Sequence, residues 1–310
     1  MRIVFFGTPE LALPSLEILK AAHEIVAVVC QPDKPVGRKK KLQSPPVKLW
    51  AESCGIPVVQ PVKLNDGAFE EWLKDQRPDV CALVAYGRLL KQSLLDVPTH
   101  GFINLHPSLL PLYRGPAPIH TAVLNGDAET GVSIMRLDSG MDTGAVILQE
   151  TVPLPPEATT QQMNDTLSVL GAEMLLKSLA LVEAGEACFV QQDESLATHS
   201  RMFVKQDGAI NWDCTAQYLY NQVRASLPWP VAYFRHNDQP MRIYSSSVVD
   251  EVSEAAPGTI VRIEENALIV ATGKFSLAIH ALQAPGKNAI PVADYQRGNP
   301  FEINTKLENG

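Results

Sequence analysis

The sequence predicts an α/β protein with an N-terminal Rossmann-like domain built on a mostly parallel sheet, followed by a smaller C-terminal β-barrel (OB-like) domain. Three observations carry this. Apolar strand-like runs alternate with amphipathic helix-like segments through the first half of the chain, the order that covers a parallel sheet on both faces. One long helical pattern then ends that texture. Beyond it come many short alternating runs, which close most naturally as a barrel that leaves few exposed edges.

"RIVFFG" (2–7) reads as a buried strand. Thr8 and Pro9 then supply an N-cap and first-turn proline for a helix over "PELALPSLEILKAA", in which Pro14 predicts a kink or a break. "EIVAVVC" (24–30), "DVCALVA" (79–85) and "FINLH" (102–106) are further strands, separated by helical patterns such as "PVKLWAESC" and "AFEEWLKD". "TGVSIMRLD" and "GAVILQETVPL" follow on either side of "SGMDTG", and residues 159–185 form one long amphipathic helix. The stretch from about Glu186 to Gly208 is polar and aperiodic, which suits a linker. After the helix "TAQYLYNQVRAS" come the strands "VAYFRH", "PMRIYSS", "GTIVRI", "ALIVAT" and "FSLAIHALQ", with Phe275, Leu277 and Ile279 expected on one face. The expected organisation is a catalytic domain at 1–188, a linker at 189–206 and a barrel-like domain at 207–310.

A length of 310 residues fits two domains. No apolar stretch approaches the roughly 20 residues of a bilayer span, and no signal-peptide pattern opens the chain, so a cytoplasmic protein is expected. Five dispersed cysteines suggest buried thiols rather than disulfides or a structural zinc site. The net charge of −8 argues against a surface that embraces nucleic acid as a whole, because phosphate binding depends on clustered Lys and Arg. Any such contact must be local.

Chemistry concentrates at the end of "FINLH". In open α/β sheets the ligand crevice lies beyond the carboxyl ends of the strands, and strand alternation puts Asn104 and His106 on the same side. Alone, such a pair often does no more than satisfy backbone groups at a strand end. "DSGMDTG" (138–144) adds two carboxylates in a glycine-rich loop, where glycine permits tight backbone geometry near a ligand but would equally suit an ordinary hairpin. A metal site on His106, His120 and Asp142 is the rival reading. The chain lacks the two-histidine helical spacing usual for zinc, and no metal is expected. "GTPE" after the first strand lacks the G-x-G-x-x-G spacing of a dinucleotide site.

Asn104-x-His106-x-Ser108-x-Leu110-Pro111, then Arg114-Gly115 and, about thirty residues on, Asp142 in "GMDTG", together resemble the site of the 10-formyltetrahydrofolate-dependent formyltransferases. The resemblance implies that Asn104, His106 and Asp142 form the catalytic set and that Ser108, Leu109, Leu110 and Pro111 line the folate site. It also implies 10-formyltetrahydrofolate as co-substrate. The physical logic agrees. Formyl transfer is attack of a neutral amine on a formyl carbon, so negative charge builds on the formyl oxygen while the departing folate nitrogen needs a proton. The Asn104 amide and a protonated His106 would donate to that oxygen, each such donor being worth about 3 to 4 kcal/mol. Asp142 would favour the imidazolium and orient it.

"QPDKPVGRKKKLQSPPVK" (31–48) carries Lys34, Arg38, Lys39, Lys40, Lys41 and Lys48 against the single acid Asp33. Its prolines and Gly37 make it a poor helix or strand and predict a loop after the second strand. Charge runs are usually solvated surface, but this one opposes the sign of the whole protein. It is similar to the inserted loop of those family members that formylate methionyl initiator tRNA. That likeness implies tRNA contact by Arg38, with Lys39, Lys40 and Lys41 as phosphate ligands; arginine presents a planar fork where lysine is a point charge. "SLPWPVAYF" and the strands after it resemble the same enzymes' C-terminal domain. From Lys205 onward there are 9 Lys/Arg and 11 Asp/Glu, so tRNA-binding residues there would have to gather on one face.

The expected partners are therefore methionyl initiator tRNA and 10-formyltetrahydrofolate, with no membrane and a monomeric chain. Three alternatives stay open: formyl transfer to a small amine such as an amino sugar nucleotide or purine precursor, hydrolysis of formyltetrahydrofolate, and a non-catalytic folate- or nucleotide-binding module.

Overall fold

The computed structural model describes residues 1–36, 41–64 and 67–310. The chain divides into two compact units. The first comprises Met1–Pro118, Glu129–Pro153 and Asn164–Arg201, and the second comprises Ile119–Ala128, Leu154–Met163 and Met202–Gly310.

The strands of the first unit are β1 (Arg2–Gly7), β2 (Glu24–Val29), β3 (Lys34–Val36), β4 (Lys41–Gln43), β5 (Val58–Val59), β6 (Val80–Val84), β7 (Phe102–His106), β8 (Glu129–Arg136) and β9 (Val146–Pro153). Its helices are α1 (Leu13–Ala22), α2 (Pro46–Ser53), α3 (Ala68–Gln76) and α4 (Gln92–Leu95), with α6 (Thr160–Ala184) from Asn164 onward; α5 (Pro118–Asn125) belongs, from Ile119, to the second unit. Seven strands form one sheet in the order β5-β2-β1-β6-β7-β8-β9. The first five run parallel, and β8 and β9 are antiparallel additions. The chain works outward from β1 to β5 and then returns to β6, so the strand order reverses between β1 and β6. Ligands of such sheets bind beside that reversal, outside the carboxyl ends of the strands.

Two local expectations are corrected. Pro14 does break the first helix: a single 3₁₀ turn (Glu10–Ala12) precedes α1, and Pro14 sits in the first turn of α1, where its missing N–H costs nothing. Thr8 is not its cap; the Thr8 hydroxyl instead accepts from the Gln31 backbone N–H at 3.3 Å. The basic stretch is also more ordered at its base than its prolines suggest. Lys34, Pro35 and Val36 pair antiparallel with Gln43, Leu42 and Lys41 as a two-stranded ladder, and Asp33, just before it, is held by Lys48 at 3.0 Å and Gln60 at 2.8 Å.

Strand alternation sorts β7 cleanly. Phe102 packs on Phe6, ring centroids 5.1 Å apart, in a core with Phe69, Leu83 and Tyr86. Leu105, on the other face, lies so close over Gly171 of α6 that a Cβ there would collide with it. Asn104 and His106 continue the Phe102 face toward the strand's end.

The second unit adds α7 (Ala216–Ala225), β10 (Tyr233–His236), β11 (Gln239–Val249), β12 (Ile260–Glu264), β13 (Ala267–Ala271), β14 (Ser276–Gln283), β15 (Ile290–Pro291) and α8 (Val292–Gly298). Thr215 caps α7 by accepting from the Tyr218 N–H. The sheet runs β10-β11-β14-β13-β12, with β15 beside β14. The last residues, which carry no sequence signal, close it. Thr305 and Leu307 hydrogen-bond to the β12 side at Ile260 and Gly258, while Glu308 exchanges two hydrogen bonds with Arg235 of β10. Both edges are thereby covered. Leu277 and Ile279 share the main core with Trp212 and Phe234, but Phe275 does not: it precedes β14 with φ +69°. The five cysteines are free thiols; Cys30 and Cys81 are buried, whereas Cys188 is exposed. No described helix is long and apolar enough to cross a membrane.

Candidate active site

His106 ends β7 and is 5% exposed. Its Nε2 lies 3.1 Å from the Tyr113 carbonyl, which fixes that nitrogen as the N–H donor. Nδ1 faces Asp142 Oδ2 at 3.7 Å, longer than a hydrogen bond. Burial pushes the imidazole below its ordinary value of 6.5, against the opposing pull of Asp142 and then the Tyr113 carbonyl. Burial thus favours the neutral ring at rest, and Asp142 is placed to favour the charge when it forms.

Asn104 is 4% exposed, one pleat before His106 on the same face. Among the described residues its amide makes no side-chain hydrogen bond, so its donors are free for a ligand. Asp142 comes from the loop between β8 and β9. Its Oδ2 accepts the Gly115 N–H at 2.7 Å, and its backbone holds φ +54°, a left-handed conformation uncommon for a side-chain-bearing residue. Tyr113 is likewise at φ +57°. Two such outliers beside one buried histidine mark a place where the surrounding structure over-determines the backbone. Thus His106 and Asp142, from segments more than thirty residues apart, face each other, with Asn104 one pleat back on the strand face of His106.

The segment 108–111 is built differently from a row of ligand-facing side chains. Ser108 is fully buried and its hydroxyl donates to the Leu112 carbonyl at 2.6 Å. The Ser108 carbonyl accepts from Ser133 Oγ, which in turn accepts from the Leu110 N–H and from Gln149. Leu110 is buried, and Leu109 leans on Gly131, where a Cβ would strike it. Ser108 and Leu110 therefore shape the turn, while Leu109 and Pro111 keep some exposure. His120 belongs to the second unit, where its ring lies tilted against Phe203 with centroids 4.8 Å apart, and no group of three or more potential metal ligands forms among the described residues. Of the four basic residues singled out, Lys41 opens β4 and is exposed, whereas Arg38, Lys39 and Lys40 lie outside the described residues. A separate cavity of about 570 Å³, lined by His100, Arg136 and Phe189 among others, contains none of the three site residues.

Sequence reasoning missed what holds Asp142. The polar stretch after α6 runs as a strap along the first unit. Val190 pairs with Val146, and Thr198 and Ser200 hydrogen-bond to Arg114. Within it Gln192 Nε2 donates to the Asp142 and Gly144 carbonyls, both at 2.8 Å. Gln192 Oε1 accepts from Arg114 Nε at 3.0 Å and Nη2 at 2.8 Å. Arg114 is 2% exposed and forks onto Glu194 at 2.9 and 2.7 Å. Arg114 was visible as part of a motif; Gln192 carried no signal, because a polar residue in an aperiodic stretch looks like any other.

Residues 1–179 match the formyl transferase family, and residues 203–300 match the formyl transferase C-terminal domain. The chain is 44% identical to the methionyl-tRNA formyltransferase of Moorella thermoacetica, over 97% of both chains. It is 40% identical to that of Geobacter sulfurreducens, over 99% of this chain and 96% of the relative. The fold is also that of an N-formyltransferase from Helicobacter canadensis solved with folinic acid and dTDP-3-aminofucose (TM-score 0.67, 20% identity, 90% of this chain and 98% of that one). By these matches over both halves, the chain belongs to the formyl transferase family, among the methionyl-tRNA formyltransferases.

Proposed function

We propose that this chain transfers the formyl group of 10-formyltetrahydrofolate to the α-amine of methionine esterified to initiator tRNA, in the cytoplasm, with Asn104, His106 and Asp142 as the reacting centre. The observation that carries the chemistry is a buried imidazole whose Nδ1 faces a carboxylate at 3.7 Å, on the same strand face as an unengaged asparagine amide.

In this reading the amine nitrogen attacks the formyl carbon, and charge develops on the formyl oxygen. Asn104 donates to that oxygen, an interaction typically worth about 3 to 4 kcal/mol. The attacking nitrogen must shed one proton and the folate nitrogen must gain one before the old C–N bond breaks. His106, neutral at rest, takes the proton through Nδ1 or an intervening water and returns it. Asp142 stabilises the imidazolium only while it exists, so its effect falls on the barrier rather than on binding. A free α-amine titrates near 8 and the ester lowers this, leaving a useful neutral fraction.

The turn 108–111 supplies the folate berth through its backbone, Leu109 and Pro111. The acceptor assignment rests on the likeness to methionyl-tRNA formyltransferases over nearly the whole length and on the basic island. Lys41 of that island is exposed on β4; in this reading Lys41 and its sequence neighbours Arg38, Lys39 and Lys40 contact the tRNA together with the domain at 207–310.

The test offers 10-formyltetrahydrofolate with methionyl initiator tRNA, a nucleotide-linked amino sugar, or water alone as acceptor. Transfer to the tRNA should exceed the others by orders of magnitude, and Arg38→Ala should weaken tRNA use while flattening its salt dependence. Faster consumption with water or the amino sugar would overturn the reading.

A further inference from the structure

We propose that Gln192 is a positioning residue for formyl transfer, a clamp that sets the Asp142 carboxylate against His106 by gripping the backbone on both sides of it. This rests on the catalytic reading of Asp142.

The clamp uses every hydrogen-bonding position a primary amide has. Both Nε2 protons go to the carbonyls of residues 142 and 144, and both lone pairs of Oε1 receive Arg114. These four bonds also settle which end of the amide is which, since the reverse orientation would set N–H groups against a guanidinium. Arg114 reaches the loop only through Gln192: four of its five donors go to Gln192 and Glu194, and none of the four to the carbonyls of residues 142 and 144. Gln192 converts a buried cation into two donors aimed at the loop.

The loop needs such a grip. Asp142 sits at φ +54°, and Gly144 lies where any Cβ would run into the Arg136 carbonyl. A conformation of that kind persists only when neighbours enforce it. The neighbours here are the Gly115 N–H on the carboxylate and Gln192 on the carbonyls. Strap and turn are tied together elsewhere as well: Tyr113 N–H donates to Thr198 Oγ1 at 2.9 Å, and Ala117 N–H to Ser200 Oγ at 3.1 Å. The same segment thus holds the turn that supplies the Tyr113 carbonyl to His106 and the loop that supplies Asp142.

Gln192→Glu is the discriminating variant. It keeps size and can still accept from Arg114, but it presents lone pairs where the two carbonyls require donors. The expected result is a fall in kcat of about 100-fold, the scale of an ångström-sized misplacement, with KM for the folate and the tRNA changed less than about threefold. Gln192→Ala, which removes the clamp without adding charge, should show the same split and covers the case in which Gln192→Glu does not fold. Asp142→Asn and the double variant Asp142→Asn/Gln192→Ala are measured alongside. If Gln192 acts through Asp142, the double variant is no slower than Asp142→Asn alone. Parent-like kcat in a folded Gln192 variant, or multiplicative losses in the double variant, would overturn the clamp. Parent-like kcat in Asp142→Asn would instead overturn the catalytic reading beneath it.

Discussion

Asp142→Asn isolates the carboxylate charge while leaving shape intact. An asparagine Oδ1 can still accept the Gly115 N–H that now reaches Asp142 Oδ2 at 2.7 Å, and the Gln192 bonds run to the backbone. What disappears is the attraction between the carboxylate and a protonated His106 ring 3.7 Å away. At an effective dielectric constant near 20 that attraction is about 4 kcal/mol, so the step in which His106 carries the proton should slow by about a thousandfold. The resting ring is neutral, so donor binding in the ground state should change little. Single-turnover formyl transfer to methionyl initiator tRNA, with donor affinity measured separately by fluorescence quenching, reads the two quantities apart. A rate within about tenfold of the parent would refute the charge-stabilisation argument. A large loss of affinity with an unchanged rate would show that the carboxylate serves binding.

Three further outcomes follow from the same geometry. Gly144→Ala should displace the Asp142 loop, since its Cβ meets the Arg136 carbonyl, and steady-state kinetics should show kcat reduced by at least about tenfold. Leu307→Ala empties a site that is 1% exposed in the closing segment of the second unit; urea unfolding should register a loss of about 2 to 5 kcal/mol. The third concerns acid. Burial holds His106, and likewise His120, below 6.5, so the unfolded chain takes up these protons before the folded one does. That contribution to stability is complete above pH 6.5 and is lost as pH falls toward the folded values. Denaturant midpoints should therefore drop between about pH 7 and about pH 5, and His120→Gln should shallow that drop.

Much of this molecule was legible from residue order because its determinants are local. Apolar runs such as "RIVFFG" and "FINLH" become parallel strands, and the period-two rule already placed Asn104 and His106 together. The convergence of Asp142 on His106 rested on resemblance, since nothing local in "GMDTG" says where a loop folds. What escaped was interaction at long separation between residues of ordinary type. Gln192 reaches across 50 and 48 positions to two carbonyls, and the final segment closes the second sheet through backbone bonds that any sequence could make. The detail at Ser108 was equally hidden: its hydroxyl donates to the Leu112 carbonyl within the same turn, a bond that the motif does not announce. The charge state of His106 was out of reach for a related reason. Charge state depends on burial, and the depth of a strand's last residue is set by the layers around it.

The most direct measurement is a crystal structure of this chain with a non-transferable 10-formyltetrahydrofolate analogue. The formyl oxygen should lie within hydrogen-bond distance of the Asn104 amide, with the formyl carbon open toward His106 and Asp142 still facing the ring. A formyl group seated away from these three side chains, with Asn104 unengaged, would contradict this arrangement.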